Sequence, residues 1–130
     1  MMKNKHSSHE IEIISKDQEE CGISLNQYQR MALETAIYPD DYKVVYPALG
    51  LAGEAGEVAD KIKKVIRDKG GYFSPADCEE IALEIGDVLW YCAVLADRLG
   101  YRLDTIGRMN YRKLRSRQQR GMLGGSGDNR

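Results

Sequence analysis

At 130 residues the chain is most simply one domain with a real core, and its formal net charge of -1 hides a division along the sequence. From Cys21 to Asp97 seven basic residues stand against thirteen acidic ones, whereas from Arg98 to Arg120 eight Lys or Arg accompany a single acid, Asp104. The opening MMKNKHSSHE has no apolar signal core, the longest apolar run (Val88 to Ala96) is too short to span a bilayer, and three cysteines show no CxxC spacing; no membrane or secreted role is expected, and the pattern suggests reduced thiols in a cytoplasmic protein.

Residues 1–22 are polar, with only the IEII group to offer a core, and read as a flexible arm ahead of a helical domain over 23–120. Ser24 followed by Gln27 has capping-box spacing, and Leu25, Tyr28, Ala32 and Ala36 recur on one face, which predicts a first helix over about 25–37. Tyr38, Pro39, Asp40 and Asp41 break it. Pro47 fits the first turn of a second helix that ends at Gly70, with an expected inner strip of Ala52, Ala55, Ala59, Ile62 and Ile66.

Ser74 before Pro75, followed by Asp77, Glu79 and Glu80, marks the start of a third helix over about 75–99, closed by Gly100. Its expected core strip is Ile81, Ile85, Val88, Cys92, Leu95 and Leu99, with Glu84, Asp87 and Tyr91 beside it and Trp90 on the far side, where it suits a subunit interface. A fourth helix over about 103–119 places Leu103, Ile106, Asn110, Lys113, Leu114 and Arg117 on one inward stripe. Lys113 and Arg117 can snorkel past a core edge, but Asn110 interrupts the middle of the stripe. The glycine-rich residues 121–130 form a tail, expected to be mobile without ligand. No run alternates with period two, so the expected fold is all-α, a four-helix bundle.

The second and third helices each carry two carboxylates three residues apart, Glu54 with Glu57 and Glu84 with Asp87, and residues so spaced share a helix face. If the chain reverses at Gly70 and Gly71, the residue numbers of Glu54 with Asp87 and of Glu57 with Glu84 share one sum, so four acids converge. Like charges at close range repel, which calls for a cation between them, and oxygen ligands on rigid helices suit Mg²⁺ or Mn²⁺. The alternative is a solvated acidic face, in which Lys61 pairs with Glu57 at i, i+4 spacing. The only histidines, His6 and His9, lie in the arm, so Glu-x-x-His di-iron and Cys/His zinc sites lack ligands. GLAGEAGE lacks the Lys-Ser/Thr ending of a P-loop. An oxygen-only site with Asn, Lys and Arg nearby suggests metal-assisted hydrolysis at phosphorus. The basic last helix also admits a non-enzymatic module that binds nucleic acid or a partner protein.

ExxE within LGLAGEAGEVAD, ExxD within EIGDVLWY, then N-x-x-K-L-x-x-R and a GSGDNR end make an ordered set that resembles the all-α nucleoside triphosphate pyrophosphohydrolases, and among them the short MazG-like proteins. The likeness runs from Leu25 to Arg130. It implies a compact helical bundle, assembled as a dimer or tetramer, that hydrolyses a nucleoside triphosphate to monophosphate and pyrophosphate with Mg²⁺. Through it Glu54, Glu57, Glu84 and Asp87 are expected to hold metal and carry catalysis, with Asp60 as an outer ligand. Asn110, Lys113 and Arg117 are expected to contact phosphate, and Gln29 either touches the base or is a core-edge amide. Nucleic acid and membrane are then not the expected partners; a nucleotide and other copies of the chain are.

Overall fold

The structure is a computed structural model that describes residues 22–127, and the described residues are helical, with no strand. Helix α1 spans Leu25–Glu34, a 3-10 turn Asp40–Tyr42, α2 Val45–Lys69, α3 Pro75–Arg98 and α4 Leu103–Gln119. The expected all-α architecture is therefore observed. Most of the N-terminal arm, with Cys21, His6 and His9, and the last three residues of the tail lie outside the described residues.

Local chemistry accounts for the ends of the helices. Ser24 and Gln27 form the expected capping box: Gln27 N–H donates to Ser24 Oγ at 3.1 Å and Ser24 N–H donates to Gln27 Oε1 at 2.7 Å. Helix α1 stops at Glu34, short of the expected 37, with Thr35 as its C-cap residue, whose hydroxyl donates to the carbonyl of Ala32 at 2.8 Å. Helix α2 begins at Val45, two residues before Pro47, which is fully buried inside its first turn. Its end at Gly70 is as expected: Gly70 and Gly71 take φ of 58° and 81°, and Gly71 N–H donates to Val65 O at 3.2 Å. Ser74 and Asp77 repeat the capping box at α3, with Pro75 at its first position.

Helices α2 and α3 form the long antiparallel hairpin of the molecule, and α1 and α4 pack on α3. Three rungs fix the hairpin's register: Gly50 faces Tyr91, Glu54 faces Asp87, and Lys61 faces Glu80. The residue numbers of each pair share the sum expected from the sequence. The Gly50–Tyr91 rung requires glycine, since a Cβ there would lie 2.1 Å from the tyrosine ring.

The faces of α2 and α4 depart from expectation. On α2 the covered strip is Leu51, Glu54, Val58, Ile62 and Val65, while Ala52, Ala55, Ala59 and Ile66 are exposed. Most of the true strip is one residue, or about 100°, from the expected one. On α3 the fully covered residues are Ala93, Val94 and Ala96, against α1 and α4; Ile81, Val88, Cys92 and Leu95 are half-covered, and Ile85 and Leu99 are exposed. Trp90 packs on this core and its Nε1–H donates to Thr35 Oγ1 at 2.7 Å, so it binds α1 of its own chain. On α4 Leu103 and Arg117 are buried, but Ile106, Asn110, Lys113 and Leu114 are exposed, and the expected inward stripe is not continuous.

The start of α4 is held from another helix. Arg102, its N-cap residue, makes no side-chain cap, and two first-turn donors reach α1: Leu103 N–H donates to Gln29 Oε1 at 3.0 Å and Asp104 N–H to Asn26 Oδ1 at 3.1 Å. Gln29 Nε2 in turn donates to the carbonyls of Ala93 and Tyr101, each at 3.0 Å. One buried amide thus joins α1, α3 and α4.

Candidate active site

The acids sit on the hairpin between the Gly50–Tyr91 rung and the Lys61–Glu80 rung. Carboxylate oxygens of Glu54, Glu84 and Asp87 lie within 4.8 Å of one another, Glu54 and Glu84 half-buried and Asp87 exposed. Glu57 is exposed on the same side of α2 and stands outside this close group, though its charge is felt by Glu54. Desolvation, then the charges of Asp87, Glu84 and Glu57, hold the Glu54 carboxyl above its ordinary pKa. The neighbouring carboxylates thus add to desolvation in disfavouring the charged form of Glu54.

Lys61 supplies positive charge beside these acids. Its Nζ lies 3.4 Å from Glu84 Oε1 and 3.4 Å from Glu80 Oε2, and the bond to Glu84 is the main cause of its raised pKa. The sequence offered Glu57 as its partner at i, i+4, but the side chain reaches across to α3 instead. Asp60 is engaged elsewhere: Lys63 and Lys64 bind both of its oxygens and hold its pKa at about 2. On the other side of the acids, burial first and then Tyr46 and Glu54 push the Tyr91 hydroxyl pKa up, and burial and Asp87 do the same to Tyr28. Tyr46 continues this aromatic edge by stacking on Tyr38, with ring centroids 4.7 Å apart.

Of the residues expected at the site, the structure brings together Glu54, Glu84 and Asp87, with Glu57 beside them. Asn110 and Lys113 lie exposed on α4, which packs on α1 and α3, and Arg117 is buried near the end of that helix. Gln29 is occupied by the backbone of α3 and α4, so the structure supports its reading as a core amide. Lys61 and Tyr91 were not picked as site residues from the sequence. A signal for both was present, because each occupies the rung next to the acids in the same register.

A family model of the MazG nucleotide pyrophosphohydrolase domain matches residues 47–122, a span that holds α3, α4, nearly all of α2 and every acid of the site. The Gene 37 protein of Mycobacterium phage L5 is 46% identical over 109 residues, covering 79% of this chain and 96% of that protein. No solved structure matches the chain. Among the described residues no helix is long and apolar enough to cross a membrane. With the family model matching more than half of the sequence and the paired acids lying within the match, the chain belongs to the MazG nucleotide pyrophosphohydrolase family.

Proposed function

We propose that this chain is a Mg²⁺-dependent nucleoside triphosphate pyrophosphohydrolase, converting a (d)NTP and water to the (d)NMP and pyrophosphate in the upkeep of nucleotide pools. The observation that carries the reading is the convergence of Glu54, Glu84 and Asp87 from two helices in one register, in a chain of this family. The residues fit a divalent cation: the donors are oxygens only, they are close enough to share an ion, and Glu54 carries the electrostatic cost of its neighbours' charge. Mg²⁺ suits this donor set, with Mn²⁺ as a substitute. When bound, such an ion supplies positive charge at the phosphates and a more acidic water.

The chain's own groups do the rest. Glu84 and Asp87, one turn apart on α3, and Glu54 on α2 would hold the ion, with Glu57 as a further α2 ligand. Glu54, the most crowded carboxylate, orients the attacking water toward the α-phosphorus. Lys113 and Arg117 offset charge on the pyrophosphate leaving group, and the Asn110 amide contacts phosphate. Asp60, already bound to two lysines, acts at most as an outer group. The active form is a homo-oligomer with the site near a subunit interface, in the reducing cytoplasm, where Cys78 and Cys92 stay as the free thiols seen here.

The test is product analysis. Each dNTP and NTP is incubated with the protein and Mg²⁺, and a monophosphate with pyrophosphate is expected from at least one of them. If no nucleotide yields that pair, the enzyme assignment fails. Release of orthophosphate would move cleavage to another phosphoanhydride bond.

A further inference from the structure

Lys61 touches the acid cluster and has no place in the mechanism above. Resting on the metal-site reading of the previous section, we propose that Lys61 is a resident counter-cation of the cluster, which steadies the metal-free fold and lowers the affinity of the site for a divalent ion. Its ammonium faces one oxygen of Glu84 at 3.4 Å, and Glu84 is one of the three carboxylates gathered at the site. The same ammonium lies 3.4 Å from Glu80, one turn before Glu84 on α3 and largely exposed. Lys61 therefore has two anchors, only one of which belongs to the cluster.

Charge fixes the direction of the effect. Without an ion, three carboxylates within 4.8 Å repel, and a cation bound to one of them relieves part of that repulsion. With a divalent ion in place, the same ammonium is a like charge a few ångströms away and opposes binding. A carboxylate has lone pairs for both cations, so Lys61 can stay near Glu84 or move its bond to Glu80 by a change of side-chain torsion. Glu80 is thus a second berth for Lys61 that lets Glu84 turn to the ion. The hairpin register explains why this lysine does it, because Lys61 and Glu80 form the rung that follows the acids.

The test is a calorimetric titration of the full chain with Mg²⁺ alone, beside a melting curve without metal. Lys61→Met keeps the aliphatic stem and removes the charge; it should bind Mg²⁺ roughly fivefold or more tightly and melt lower without metal. Lys61→Arg should stay near the parent in both. Glu80→Gln leaves Lys61 wholly on Glu84 and should weaken Mg²⁺ binding by more than Glu79→Gln, which removes the same charge one residue away. This comparison decides the matter if Lys61→Met fails to fold. Mg²⁺ affinity unchanged or weaker in Lys61→Met, or equal effects of Glu80→Gln and Glu79→Gln, overturns the role of Lys61 and leaves the metal site standing. A parent chain that takes up no Mg²⁺ overturns the metal site as well.

Discussion

A carboxylate that shares a half-buried cleft with two others is easier to protonate than one in water, and Glu54 is so placed. Its folded pKa lies above the unfolded value of 4.5, so its contribution to stability is full below that value and is lost as pH rises through the folded pKa. In metal-free protein Glu54→Gln should therefore match or exceed the parent's melting temperature at neutral pH, and the gap should close as pH falls toward 4.5. Asp87→Asn should likewise leave metal-free stability unchanged or raised, and in both Asp87→Asn and Glu84→Gln turnover should fall by about 100-fold or more and the stabilisation by Mg²⁺ with nucleotide disappear. Glu57→Gln should lose less, since Glu57 stands outside the close group, and Glu79→Gln should keep full activity. A parent-like rate in both Glu84→Gln and Asp87→Asn would reduce the cluster to a solvated face. Gln29 makes the contrasting case. Gln29→Leu strands the Leu103 N–H and two carbonyls, which should cost on the order of 2–4 kcal/mol in denaturant unfolding, yet leave the rate per folded molecule and the base preference unchanged. A changed base preference would return Gln29 to the substrate site.

Helix ends were legible because their causes are local. Ser24 with Gln27 and Ser74 with Asp77 carry their caps within three residues, and Gly70 closes α2 by its own conformation. Ser74→Ala should thus cost about 1 kcal/mol, measured by chemical unfolding. Asp77 is held at a pKa of about 2 by Lys69 and Ser74, so the stability it adds is present above its unfolded value of 3.8 and is lost as pH falls toward 2. Asp77→Asn should flatten the acid limb of the stability curve between those values, and an unchanged limb would show that the Lys69 and Ser74 contacts do not hold the carboxylate in solution. The register of the acids was legible for a similar reason, since two glycines fix where the hairpin turns and the numbering follows. Helix faces were less so. On α2 the strip from Ala52 to Ile66 and the strip from Leu51 to Val65 both repeat with helical period, and only the partner decides between them. The Gly50–Tyr91 contact selects the second, and nothing local to α2 announces it. The capping of α4 by Asn26 and Gln29 was invisible because it joins residues more than 70 apart.

Across the whole molecule, the described residues bury little large apolar side chain. The core is Ala32, Val65, Ala93, Val94, Ala96 and Leu103, and the largest fully buried side chains are Val94 and Pro47. Meanwhile Leu49 is 70% exposed, Leu83 68%, Ile66 59% and Ile85 53%. Tyr28, Leu33 and Trp90 pack on this core but are only partly buried, and covering the exposed side chains would contribute about 25 cal/mol for each Å² removed from water. The small residues Ala52, Ala55, Gly56 and Ala59 give α2 an exposed face on which another helix can approach closely. This is the physical basis for expecting an obligate homo-oligomer, in which the misread α2 strip would serve as contact surface. Sedimentation at micromolar concentration should show no monomer, and the melting temperature should rise with protein concentration. Ala59→Arg separates an interface from ordinary surface. On a solvent-facing helix position it should change stability by no more than about 0.5 kcal/mol. At an interface it should dissociate the assembly and lower the melting temperature by several degrees or more. A monomeric parent chain with full turnover, or an Ala59→Arg variant that sediments and melts like the parent, would place this face in solvent and leave the exposed leucines unexplained by assembly through α2.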